Sequence, residues 1–438
     1  MHIFWYILGI AVFALALTVS VAFHEFGHMI TGKLFGVKVT EFMIGFGPKL
    51  WSKRVGETEY GLKAIPAGGY TALIGMYPPT GVAKPYTGPF AKLVRDARAA
   101  SDETIGEGED DRTFYRLPVW KRLVVMVAGI FANLLLAAVL FAVLIMGIGQ
   151  VQPTTTIDAV SRCVHDATSS SQACAAGDPV APGAEAGLRA GDRVVAVDGT
   201  RVASWTQMQQ LVQGRAGQPT RVVIERDGQR LTLTMTPQPA QRAVTDSFEQ
   251  PQHDASGKIR TETVGFIGIT PAEARTRGSF GDAMGMLWQT TAASARVVVQ
   301  LPVQVYDVTA DLVTGRQRSL ESPMSIVGVG RVAGEVASDQ QVGLLDKVAV
   351  MLSLTASLNI ALMLFNLVPL VPLDGGHAFG ALWEGVRRRW ARWRGRPDPG
   401  PFDAARLTPL TIAVVAVLIA MTVLLVAADL FNPVRVLG

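Results

Sequence analysis

The residues best suited to chemistry lie together near the end of the first apolar run: His24-Glu25-Phe26-Gly27-His28. If the helix begun by that run continues through them, residues four apart share a face and both imidazoles reach one point. Zinc favours nitrogen ligands at about 2.0–2.1 Å, and a catalytic zinc site keeps one position open for water. Glu25, adjacent on the helix, is placed to take a proton from that water, the logic of an H-E-x-x-H arrangement. The chain holds only six histidines, so chance seldom produces this spacing. The bland alternative is a pair of interfacial histidines beside a charged neighbour. It leaves Glu25 at the edge of a long apolar helix without a partner, which is costly.

Two histidines do not complete a zinc site, so a third ligand must come from elsewhere. Residues 366–377 read Asn366-Leu-Val-Pro369-Leu-Val-Pro372-Leu-Asp374-Gly-Gly-His377, with Asp374 at the end of an uncharged run. Pro369 and Pro372 are expected to break or kink a helix just before it. Irregular backbone at membrane depth is tolerated only where it is buried in protein or lines a watery cavity, and an ionisable residue there is a functional candidate. Gly375 and Gly376 allow a tight turn beside a metal. Asp374 as a mere helix cap is the competing reading, and His377 is the rival ligand. Glu41, Glu57 and Glu59 rank lower because they sit in a polar, strand-like region.

These side chains have to be held by spanning helices. Half of the 438 residues are hydrophobic (49%) and 17% are charged, against about 25% charged in an ordinary soluble domain. Four uncharged stretches, 4–23, 123–149, 348–373 and 407–428, are long enough to cross a bilayer, which takes about 20 apolar residues in a helix. A cleaved signal peptide is the alternative for the first; no Lys or Arg precedes it and no small-residue cleavage site follows. Basic residues near span ends stay in the cytoplasm. The segment after the first span starts with Lys33 and Lys38 and ends with Arg116, Lys121 and Arg122, and the loop between spans three and four carries six arginines within 387–396. Both loops are therefore expected in the cytoplasm, with 150–347 outside. The 387–396 run reads as a solvated, lipid-facing collar, and 97–111 as a flexible acidic loop. The net charge of +4 is too small to imply nucleic-acid binding. Cys163 and Cys174 fall in the external segment, where a disulfide can persist, and are expected to be bridged. Neither belongs to a C-x-x-C pair, which excludes a zinc ribbon.

His24-Glu25-Phe26-Gly27-His28, together with Asn366-x-x-Pro369 and Leu373-Asp374-Gly375, resembles the site-2 protease family of intramembrane zinc metalloproteases (peptidase family M50). The likeness covers most of the chain and points to the bacterial, PDZ-containing regulator-of-sigma-E-protease-like type. Gly45-Phe46-Gly47-Pro48 and Pro66-Ala67-Gly68-Gly69-Tyr70 look like that family's cytoplasmic-side strands, and Gly129 with Asn133 like its second-span G-x-x-x-N. One departure is visible: Pro372 stands three residues after Pro369, where better-known members place it two after. The resemblance implies Zn2+ held by His24, His28 and Asp374, with Glu25 as general base. It implies that Asn366 holds the substrate backbone or the oxyanion, though a helix-packing amide is an equal reading. Residues 58–76 alternate polar and apolar side chains around Gly68-Gly69 and read as a hairpin. Its edge, with Gly68, Gly69 and Tyr70, could bind substrate by strand addition, or be purely structural. The implied substrate is a single-span membrane protein such as an anti-sigma factor, trimmed first by another protease.

Outside the membrane, Pro182-Gly-Ala-Glu-Ala-Gly187-Leu-Arg-Ala-Gly191-Asp192 followed by 194–199 looks like a PDZ domain over 155–238. Ser204 opens a helix with Met208, Leu211 and Val212 on one face, and Asp227-Gly228 marks a hairpin between 222–226 and 231–235. Such a domain could bind C-termini or act as a filter against substrates with bulky external parts, the reading the family favours. Residues 239–275 are expected as a loose connector, and 280–320 as amphipathic helices on the outer membrane surface or packed on the PDZ domain. The expected architecture is thus a polytopic α-helical protein of the bacterial cell membrane, with four transmembrane helices, a membrane-associated β-hairpin or sheet and an extracytoplasmic α+β PDZ domain. Its parts are 1–149 and 348–438 as the two halves of the membrane core, 155–238, and 239–347 as connector. The rival readings are a catalytically inactive PDZ-bearing anchor and a metal transporter. The transporter would need ionisable residues along a crossing path, which spans two and four lack.

Overall fold

The computed structural model describes residues 2–82, 85–164, 174, 178–244, 258–318 and 322–434. The chain forms two compact units, Met1–Ile148 with Gly278–Gly438, and Gly149–Arg277.

In the first unit, α1 (His2–Leu34) runs without a breaker past the apolar stretch expected from sequence and ends before Gly36, whose φ of 86° lies in the left-handed region. Its buried stripe, Phe13, Leu17, Val21, His24 and His28, recurs every three to four residues. α2 (Ala91–Asp102) occupies part of the stretch expected to be a flexible loop. It is ordered because Val94 is buried and Arg98, itself buried, forms an ion pair with Asp403. α3 (Val119–Ala142) continues as a π-helical turn over Val143–Ile148. After the second unit come α6 (Phe280–Thr314), α7 (Ile326–Ser338), α8 (Leu344–Leu367), α9 (Asp374–Trp393) and α10 (Thr408–Phe431). Among the described residues, four helical stretches are long and apolar enough to cross a membrane: His2–Leu34, Val119–Ile148, Leu344–Leu367 and Ala404–Phe431. The third is shorter than its uncharged run. It stops before Pro369, which cannot continue the helical hydrogen bonding.

Small residues let these helices approach closely. A Cβ on Gly9 would lie 2.5 Å from the carbonyl oxygen of Ala333 on α7, and one on Gly27 2.5 Å from that of Ala128 on α3. A fully buried amide stitches α8 to α1: Asn359 Nδ2 donates to Ser20 Oγ at 2.8 Å. The stretch expected as several surface helices is one helix, α6, opened by a Ser279–Asp282 capping box. Ala283 of α6 packs with Phe141, Ile145, Ala356 and Ile360 of α3, its π-helical turn and α8, and Val308 packs with Leu425 and Ala428 of α10. Residues 278–347 thus belong to the same unit as the spans, a correction to the connector expected over 239–347.

Between α1 and α3 the chain makes β1 (Val39–Val55) and β2 (Thr58–Leu73). Both strands are long and bent. Met43 pairs with Tyr70 on one side and Gly61 on the other, while Lys53 pairs with Tyr60. The segment 39–44 therefore lies between the two halves of β2, and 49–55 folds back against the first half. Gly45 and Gly47 (φ 89° and 84°) supply the left-handed conformations that bend β1. The hairpin expected within 58–76 is absent: the turn falls at Gly56 and Glu57, and Gly68-Gly69 lies within β2.

The second unit is built on a sheet of order β10-β3-β4-β6-β7, with β5 beside β4. The strands are β3 (Gln150–Val160), β4 (Arg193–Val197), β5 (Thr200–Arg201), β6 (Thr220–Arg226), β7 (Gln229–Met235) and β10 (Ile269–Thr276). β8 (Gln238–Ala243) and β9 (Thr261–Phe266) form a separate pair. The short α4 (Pro182–Glu185) and α5 (Trp205–Gln213) complete the unit; Met208 and Val212 of α5 pack on Val194, Val222 and Ile224. Asp227 and Gly228 (φ 52° and 78°) make the tight β6–β7 turn. Asp192, 1% exposed at its side chain, accepts two hydrogen bonds from Arg226 at 2.7 and 2.8 Å, which hold its carboxyl below the usual range. The unit is larger than the expected 155–238. β10, in the stretch expected as a loose connector, pairs along β3 from Val160 to Gln150. Cys163 and Cys174 are bridged, with Cα atoms 5.9 Å apart.

Candidate metal centre

The last turns of α1, the middle of α3 and the first residue of α9 meet at one point. His24 and His28 stand on the buried face of α1, 8% and 6% exposed. Asp374 opens α9 immediately after the proline-broken stretch, so its carboxylate projects from the start of a helix. Its Oδ2 lies 3.0 Å from His24 Nε2 and 3.1 Å from His28 Nε2, and the two Nε2 atoms are 3.3 Å apart. Three potential ligand atoms from segments some 350 residues apart thus share one small volume, the one such cluster among the described residues. That spacing fits a tetrahedral ion at about 2.0–2.2 Å from each donor with one position open.

The imidazoles are oriented by α3. His28 Nδ1 lies 2.8 Å from the carbonyl oxygen of Val125. A carbonyl can only accept, so Nδ1 carries the proton and the Nε2 lone pair faces the cluster. His24 Nδ1 meets the side-chain amide of Asn133, a fully buried residue, at 3.1 Å. As placed, Nδ2 faces the ring and the buried Oδ1 has no partner. Turning the amide over puts Oδ1 against His24 Nδ1–H, the tautomer whose Nε2 can bind a metal. The donor set and this orphaned oxygen both fit zinc. Gly129 leaves room for the centre, because a Cβ there would fall on His28 Nε2. Gly375 and Gly376 are required for packing: a Cβ on either would meet the backbone of 367–371.

Glu25 is reached from the sheet. Thr71 Oγ1 donates to Glu25 Oε2 at 2.9 Å, and a Cβ on Gly69 would come within 3.1 Å of Glu25 Cγ. Nothing in the sequence links Thr71 to a glutamate 46 residues earlier, and sequence reasoning missed it. Gly69 faces this glutamate, Gly68 faces the Phe46 ring instead, and the Tyr70 hydroxyl donates to Glu41 at 2.5 Å and accepts from Lys63 at 2.8 Å. The second half of β2 is flanked by β1 on one side and by no other strand among the described residues. Asn366 sits in the last turn of α8, with Nδ2 donating to the Leu362 carbonyl at 3.0 Å. The rival His377 is outside the cluster. The lower-ranked glutamates have cationic partners: Glu41 and Glu59 face Lys49, and Glu57 accepts two hydrogen bonds from Arg112, which hold its carboxyl below the usual range.

A model described as peptidase family M50 matches residues 12–396. The chain is 33% identical over 443 residues to the zinc metalloprotease Rip1 of Mycobacterium tuberculosis, covering 98% of this chain and 99% of the relative. It is 32% identical to Rip1 of Mycolicibacterium smegmatis, covering 98% of each chain. It is 29% identical to the metalloprotease MmpA of Caulobacter vibrioides, covering 85% of each.

Proposed function

The chain belongs to peptidase family M50 and is a membrane-embedded zinc metalloprotease, and from that premise we propose that it hydrolyses peptide bonds in the membrane-spanning segments of single-span proteins. His24, His28 and Asp374 hold the zinc and Glu25 is the general base. One observation carries the reading: the Asp374 carboxylate, delivered by the break after the third span, sits 3.0 and 3.1 Å from the two imidazoles of the first. Bound there, zinc would polarise a carbonyl and bring the pKa of its water down to about 7.

The chain's own groups do the rest. Glu25, steadied by the Thr71 hydroxyl, accepts a proton from the attacking water and delivers it to the leaving nitrogen. Val125 and Asn133 fix the imidazole tautomers. A helical substrate hides its amides in i→i−4 bonds and must unwind before cleavage. The second half of β2 offers an unpaired edge beside Glu25 through which Gly68, Gly69 and Tyr70 hold the unwound strand by β-addition. Asn366, one helical turn before the break, holds the substrate backbone once its bond to Leu362 is exchanged.

The substrate class we propose is an anti-sigma-factor-like protein already trimmed by another protease. The centre faces the cytoplasm, as the basic residues flanking the spans support. Residues 149–277 form an external PDZ-like unit that rejects untrimmed substrates. The test is zinc analysis with cleavage of a single-span reporter in reconstituted membranes. Glu25→Gln keeps zinc and loses cleavage, and Asp374→Asn loses both. Cleavage surviving in Glu25→Gln would remove the assigned base.

A further inference from the structure

α9 has three faces with three different environments. One is packed: Ala378, Gly380, Ala381 and Glu384 are buried against the rest of the unit. The opposite one is bare: Phe379, Leu382, Trp383, Val386, Trp390 and Trp393 are 47–81% exposed. At 3.6 residues per turn those six side chains fall within an arc of about 100°. Arginines flank this stripe on both sides and follow it: Arg389, Arg392, Arg394 and Arg396 are exposed and have no carboxylate partner among the described residues. Arg394 stacks on Trp390, with its guanidinium 4.5 Å from the ring centroid.

The depth of this helix is set by what it packs on. Glu384, fully buried, forms an ion pair at 2.6 Å with Arg122, in the first turn of α3. A Cβ on Gly385 would lie 3.3 Å from Val119, the first residue of that span. The Phe402 N–H, just before the last span, donates to Glu384 at 2.7 Å. The middle of α9 therefore lies level with the starts of two spanning helices, where hydrocarbon gives way to headgroups. A bare stripe of Trp, Phe and Leu flanked by arginine at that level has the composition of a helix lying in the membrane interface. Four guanidiniums without a carboxylate partner among the described residues, on and just after the same helix, match anionic lipid in charge.

We propose that α9 is an interfacial lipid-binding helix: its Phe379–Trp393 stripe enters the acyl boundary, and Arg389, Arg392, Arg394 and Arg396 bind the phosphate groups of anionic phospholipids. The same helix begins with Asp374, so the lipid attachment sets the depth of the carboxylate that meets the two histidines.

The native cysteines are bridged to each other, so Val386→Cys gives one site for a nitroxide on the full chain. The labelled protein is reconstituted in phosphatidylcholine alone and in phosphatidylcholine mixed with phosphatidylglycerol. The expected result is a label several-fold more accessible to oxygen than to a water-soluble nickel chelate, and deeper in the anionic bilayer. Replacing the four arginines by glutamine abolishes the difference between the bilayers while the label stays immersed. Leu382→Cys provides a second position on the same stripe should the first variant fold poorly. A label exposed to water in both bilayers overturns membrane docking. Equal depth in the two bilayers, or a difference that survives the glutamine substitutions, overturns the assignment of the arginines to anionic headgroups. Dipolar broadening between labels on neighbouring copies overturns it as well, by showing that a second chain covers the stripe.

Discussion

Replacing Asn133 by alanine tests the metal centre without touching a ligand. The amide is fully buried on α3 and lies 3.1 Å from His24 Nδ1, 109 residues away in sequence. Its loss leaves the ring N–H unsatisfied at a buried position, at about 1–3 kcal/mol. At about 1.4 kcal/mol per tenfold, zinc affinity should fall roughly 5- to 150-fold, a span that includes the 10- to 100-fold typical of residues behind a metal ligand. The assay is competition for zinc between the full chain in detergent and chelators of graded affinity, with thermal unfolding of the zinc-free protein as a control for packing loss. Asn133→Asp keeps an acceptor in place and should hold zinc at least as tightly as the unaltered chain. Two results would refute the reasoning. Unchanged zinc affinity in Asn133→Ala would show that the amide does not orient His24. A folded Asn133→Asp that loses zinc as badly as the alanine variant would show that the amide presents its N–H2 group to the ring, so that Nε2 is not the ligand atom.

Thr71→Val removes the hydroxyl that donates to Glu25 at 2.9 Å. It should lower kcat about tenfold or more with zinc content unchanged, and Thr71→Ser should restore the rate. Gly129→Ala puts a methyl on His28 Nε2 and should abolish zinc binding in metal analysis. Gly147→Ala, whose Cβ meets nothing closer than a Val143 side-chain atom at 4.0 Å, should leave it intact. Proline placed along the unpaired edge of 69–74 should reduce reporter cleavage with zinc retained; unchanged cleavage would separate β2 from substrate binding.

Much of the centre was legible in the residues alone. His24 and His28 are four apart on an apolar run with no breaker, and helix geometry by itself puts two such side chains on one face. The four spans followed from length and lack of charge, because a membrane leaves a helix little choice of composition. The break before Asp374 followed from Pro369, which has no N–H to give. What decided the rest were contacts between segments distant in sequence. That Asp374 rather than His377 joins the histidines depends on where α9 starts relative to α1, and nothing local encodes that. The Glu25–Thr71 bond arises because β2 lies along α1, and 58–76 misread as a hairpin because alternation reports strand character and says nothing about which strand is the partner. Arg98 ordering α2 through Asp403, and β10 completing the sheet along β3, are likewise long-range pairings with no local signature. Sequence determines which side chains can bind a metal and which segments can enter lipid; only the folded chain determines which of them meet, because a meeting point a few ångströms wide is set by the packing of whole helices.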